Sequence, residues 1–184
     1  MGTKKINSSR LKILYKVNED IINKMIELDE TVFKEEDRGT LEGCKKWLKC
    51  NPDIYTVLLY DDEVIGYINF MPITTDAYVK IYNGQLKDYE LQPKDIINFF
   101  ENGTFNCLFT SIVIKPEYQD TNVVRELWNG FLENIKQKKL KIDKVIIDCV
   151  SEDGEKFVKR NFNAKYITNS CEGKIYEGCI TFYS

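Results

Sequence analysis

The chain has 184 residues, 43% hydrophobic and 30% charged, enough for one domain with a substantial core. Its 26 basic and 29 acidic residues leave a net charge of −3, so it offers no broad basic field to nucleic acid. It contains no histidine; this excludes a histidine base, triad or metal ligand and leaves acid–base chemistry to carboxylates, tyrosine, cysteine, lysine or water.

The opening residues, MGTKKINSSR, lack the apolar core of a secretion signal, and no apolar run is long enough to span a membrane; cytoplasm is the expected address. LKILYKV at 11–17 alternates like a strand. Residues 19–33 carry a helical apolar stripe at 21, 22, 25, 26, 28, 32 and 33, with Asn18 as the cap and Glu19 and Asp20 in the first turn. A charged link follows, with Asp37-Arg38 a solvated pair or part of a substrate mouth. A second helix spans 40–50, from Thr40 to the Asn51-Pro52 break. Strands at 55–60 and 64–70 flank the turn Asp61-Asp62-Glu63.

The segment 72–104 is an insertion with two short predicted helices, 76–83 and 94–101. It is too long for a hairpin link, so specificity belongs here if anywhere. Tyr78, Tyr82, Tyr89, Phe99 and Phe100 line a pocket or form a small satellite core. A strand at 105–116 leads into the turn PEYQ, and 123–137 is the clearest amphipathic helix. KVIIDCV at 144–150 reads as a buried central strand and GEKFVKR as a short helix. Strands at 164–168 and 175–183 close the chain around Glu172-Gly173; the aromatic edge of the last one offers a route to a homodimer. Cys107, Cys149 and Cys179 fall in strand-like runs and read as buried small hydrophobes of a reducing compartment.

The element order, with the stretches DDEVIGYINF, FTSIVIKPEYQDTNVVRELWNGFL and KVIIDCVSEDGEKFVKRNFNAKYI, resembles the GNAT superfamily of acyl-CoA N-acyltransferases. The resemblance covers nearly the whole chain and is weakest over 71–104. It implies a single α/β (α+β) domain over 1–184, with a mixed, mostly antiparallel sheet, helices on both faces and splayed parallel central strands. It also implies acetyl-CoA as co-substrate and transfer of an acetyl group to a primary amine of a small molecule or peptide, with no nucleic-acid or membrane partner. The backbone of Ile112, Val113 and Ile114 would meet the pantetheine arm. Gln119, Asp120, Thr121, Asn122, Val123, Val124 and Arg125 would form the pyrophosphate loop, and Ser151 stands where the family often has an asparagine.

This loop departs from the family pattern of Gln/Arg-x-x-Gly-x-Gly/Ala. Asn122 and Val124 replace its glycine and small residue, and Asp120 adds a negative charge. Asn122 tolerates a left-handed turn, whereas Val124 crowds a phosphate unless it faces the core. Arg125 reaches a phosphate or lies on a solvated face. Asp120, Thr121 and Asn122 are also good caps, so the alternative is a non-catalytic GNAT-fold binding module whose helix start is held by its own side chains. Val158 falls where relatives carry a tyrosine acid. Glu63, Glu117 and Asp148 are the carboxylates near sheet ends, and no catalytic residue is assigned.

Overall fold

The computed structural model describes residues 6–35, 38–171 and 173–180. Asp37, Glu172 and residues 181–184 therefore lie outside the described residues. Among the described residues, seven strands, β1 (Leu11–Leu14), β2 (Tyr55–Tyr60), β3 (Glu63–Ile73), β4 (Thr104–Ile114), β5 (Lys141–Cys149), β6 (Lys165–Asn169) and β7 (Lys174–Gly178), are hydrogen-bonded in the order β1-β2-β3-β4-β5-β7-β6. The α-helices are α1 (Glu19–Val32), α2 (Leu41–Cys50), α3 (Thr75–Tyr82), α4 (Val123–Gln137) and α5 (Glu152–Asn161). The chain divides into two compact units, Met1–Asn69 with Ser111–Lys136, and Phe70–Thr110 with Gln137–Ser184.

In the first unit, β1 pairs antiparallel with β2, and β2 with β3. The second pairing shifts register between Leu58, opposite Gly66, and Leu59, opposite Val64, so Ile65 is the extra residue of a bulge. The core side chains of this unit include Ile22, Met25, Val57, Ile65, Val113, Leu127 and Phe131. Helix α1 starts as expected: Asn18 is its cap, and its side chain accepts from the Ile21 amide. Gly130 of α4 lets Ile13 of β1 pack directly against the helix backbone, and the Tyr15 hydroxyl donates to the Gly130 carbonyl at 3.2 Å.

In the second unit, β4 and β5 run parallel from Thr104↔Lys141 to Phe109↔Ile147, after which β4 continues to Ile114. β7 pairs antiparallel with both β5 and β6. It is thus an interior strand over Lys174–Gly178. β7 also ends at Gly178 rather than 183, because the Cys179 amide turns to the Phe162 carbonyl at 2.9 Å; Cys179 is exposed, whereas Cys107 and Cys149 are buried as expected.

The insertion holds α3 where a helix is expected, but not the second helix. Only a single 3₁₀ turn, Pro93–Asp95, forms there. Ile96 bridges Ile73, the Ile97 amide donates to the Pro72 carbonyl, and the Asp95 carbonyl accepts from Thr74, so the end of β3 claims the backbone a helix would need. Phe99 stacks on Phe70 and packs edge-on to Phe105, as does Phe100, and Tyr78 stacks on Tyr82. Tyr78 pins α3 to β7 by donating to Glu177 at 2.5 Å.

Candidate functional site

The end of β4 and the start of α4 belong to the first unit. Val113 and Ile114 are buried and Ile112 is half-buried. The side chains of this stretch pack as core, as those of a plain core strand would. The Lys115 amide donates to the Ile65 carbonyl at 2.9 Å, and Gln119, the one residue that matches the family loop, donates from Nε2 to the Ile114 carbonyl at 3.1 Å. Pro116–Tyr118 make a 3₁₀ turn, and Tyr118 lies 6.0 Å from the Tyr60 ring.

Of the three candidate caps Asp120, Thr121 and Asn122, Thr121 holds one amide of the helix start. Thr121 Oγ1 accepts from the Val123 amide at 3.2 Å and donates to the Tyr118 carbonyl at 2.5 Å. Asn122 sits at the cap position, its carbonyl accepting from the Glu126 amide. Its side chain is used elsewhere: Oδ1 accepts from the Ile6 amide at 3.0 Å, and Nδ2 donates to Glu126 at 3.3 Å. Among the described residues, no acceptor bonds the amides of Val124 and Arg125. Asn122 is not one of the residues in the left-handed region, which are Asp61, Asp62, Asn102, Lys139, Asn163 and Gly84. The turn thus needs neither glycine nor its conformational freedom. Val123 is the valine buried in the core, Val124 is half-buried, and Arg125 and Asp120 are exposed.

Ser151 belongs to the second unit. It caps α5 by accepting from the Gly154 amide at 3.1 Å. It also lines an open cavity of about 450 Å³ at the end of β5, together with Cys149, Glu155, Ser170, Cys171 and Lys174. Ser170 donates to Asp148 at 2.8 Å and accepts from the Gly173 amide, which closes the β6–β7 turn on β5. Burial and the nearby Asp148 charge push the Cys149 thiol up to about 12. Glu155 accepts from Lys174 and Tyr176, and these bonds lower its carboxyl to about 2. Each candidate carboxylate has an internal partner: Glu63 and Glu117 pair with Lys115, and Asp148 with Ser170. Val158 is buried in the core.

One polar group escaped the sequence reading. Asp29 is 3% exposed and accepts from the Tyr67 hydroxyl at 2.6 Å. Burial raises its carboxyl to about 6, against the lowering effect of Tyr67, the Gly39 amide and Arg38. Its signal was its place four residues after Met25 and seven after Ile22, inside the apolar stripe.

No family model and no curated protein matches this sequence. Solved structures do. Ard1 from Thermoplasma volcanium is 12% identical with a TM-score of 0.62, over 95% of this chain and 99% of that one. Arabidopsis thaliana Naa50, in complex with the bisubstrate analogue CoA-Ac-MVNAL, is 13% identical with a TM-score of 0.59, over 94% and 99%. The PaiA N-acetyltransferase from Thermoplasma acidophilum, in complex with coenzyme A, is 15% identical with a TM-score of 0.54, over 92% and 98%. The fold is therefore that of the GNAT acetyltransferases, as the sequence resemblance implied.

Proposed function

We propose that this protein is an acyl-CoA-dependent N-acyltransferase that moves an acetyl group to a primary amine of a small molecule or peptide, its two units being the halves of one GNAT domain. The observation that carries this reading is the start of α4, at the end of β4, where the amides of Val124 and Arg125 have no acceptor among the described residues. Such amides, on a helix of 15 residues, suit the diphosphate of acyl-CoA. Residues Gln119 to Arg125 would hold the diphosphate and the backbone of Ile112 to Ile114 the amide-rich arm. The group supplies an activated acyl thioester. The chain's contribution is to hold the arm, to orient the carbonyl toward a strand amide and to bring the amine within reach.

A second reading, a non-catalytic binding module, draws on the bond from the Val123 amide to Thr121, which removes one donor, and on the valine at 158. A thermal-shift titration with acetyl-CoA and CoA, followed by a thiol-release assay with amine substrates, separates the two. The transferase reading expects saturable stabilisation, about 2.7 kcal/mol at a ligand concentration of 100 Kd, and amine-dependent thiol release. Stabilisation without thiol release would favour the module. No stabilisation at millimolar ligand would end the acyl-CoA reading.

A further inference from the structure

We infer that Gly66 is a positioning residue, a glycine that sets where the end of β4 lies for the acyl-CoA arm; the inference rests on the reading above. Glycine within a strand gives up packing and order, so its presence in the buried run that follows Glu63 in β3 calls for a cause. Its conformation is not the cause, because Gly66 is absent from the left-handed residues. Space is. A Cβ at this position would stand 2.8 Å from the Val113 carbonyl oxygen, 2.7 Å from Ile114 Cδ1 and 3.5 Å from Leu127 Cδ2. The Ile114 methyl can swing aside; the carbonyl moves only if the strand moves.

The neighbouring contacts give this closeness its use. Gly66 adjoins the bulged Ile65, whose carbonyl accepts from the Lys115 amide at 2.9 Å, and Gln119 holds the next carbonyl, that of Ile114. The bulge, the glycine and Gln119 together fix three consecutive residues, Val113 to Lys115, at the end of β4. Two of them are residues proposed to face the arm. A methyl group at position 66 displaces this stretch by tenths of an ångström, enough to spoil hydrogen bonds to a bound amide chain.

The test uses the full chain and the variants Gly66→Ala, Gly66→Ala/Ile114→Val and Gly130→Ala. The last serves as control, because its added methyl meets the Ile13 side chain, most closely at Cδ1, and no backbone atom among its nearest neighbours. Two quantities are read: the affinity for CoA, and hydrogen exchange at the Lys115 amide, alongside the melting temperature. Gly66→Ala is expected to weaken CoA binding at least about tenfold and to speed exchange at Lys115. Gly130→Ala is expected to lower the melting temperature and leave both unchanged. The double variant removes the clash with Cδ1 but not that with the carbonyl, so it folds more readily and recovers only part of the affinity. Unchanged affinity and exchange in Gly66→Ala, or full recovery in the double variant, would overturn the inference. A wild-type chain with no affinity for CoA would overturn the acyl-CoA reading and the role toward the arm; exchange at Lys115 would then still decide whether Gly66 holds the strand end.

Discussion

Asn18 and Asn122 are the same residue at the same position, one before a helix, and they do different work. Asn18 accepts from the Ile21 amide and closes the start of α1. Asn122 accepts from the Ile6 amide instead, and the start of α4 keeps two amides without an acceptor among the described residues. Thr40, Thr74 and Ser151 follow Asn18, each accepting from the amide three residues on. A capping residue type therefore marks where a helix begins, but does not say whether the cap is made. A competing donor, here a backbone amide 116 residues away in sequence, decides that.

The largest expected effect lies away from both helix starts and checks that stability and ligand binding are separable in the first unit. The Asp29 carboxyl is raised by burial to about 6, above its ordinary value of 3.8. Stability from this group is present below the lower value and is lost as pH rises through the upper one. The wild-type chain should gain up to about 3 kcal/mol as pH falls from 7 toward 4, apart from other groups. Asp29→Asn should flatten this slope in denaturant titrations across pH and leave CoA affinity unchanged. An unaltered slope would mean that Asp29 is ionised at no cost.

Asn122→Asp sharpens the contrast itself. A carboxylate at position 122 opposes an anionic ligand and sets two carboxylates side by side where the Asn122 amide now donates to Glu126, so CoA affinity should fall about tenfold and stability should not rise. Next come the made caps. Asn18→Ala and Ser151→Ala should each cost about 1 kcal/mol, whereas Asn122→Ala, which removes no cap bond, should cost less than about half of that. Equal losses at Asn18 and Asn122 would erase the distinction. The smallest effect is that of Glu155. Its lowered carboxyl gives stability that is present above pH 4.5 and lost as pH falls toward 2, so Glu155→Gln should shift the acid transition slightly upward.

The fold was legible because its strongest signals are local. The apolar stripe of α4, the continuous run of β5 and the Asn18 and Thr40 caps all lie within a few residues of what they determine. The misses came from distant partners. Residues 94–101 have a helical pattern, but β3 takes their backbone. The last strand is cut short by the Phe162 carbonyl and enclosed by β6. At the candidate site, the sequence identified the right turn and the right question, whether Asp120, Thr121 and Asn122 hold the helix start. The answer depended on Ile6, which no local spacing connects to Asn122. Asp29 was missed because a single acid in an apolar stripe looks like a solvated boundary until Tyr67 is placed opposite it.

The central claim is that the start of α4 is open to an anion despite having no glycine. The most direct measurement is an amide-resolved NMR titration of the full chain with CoA. The account predicts saturable shifts at Val124 and Arg125, together with Gln119, and little change at Ile21, whose amide Asn18 already holds. Binding that leaves the Val124 and Arg125 amides unmoved, or no binding at millimolar CoA, would contradict it.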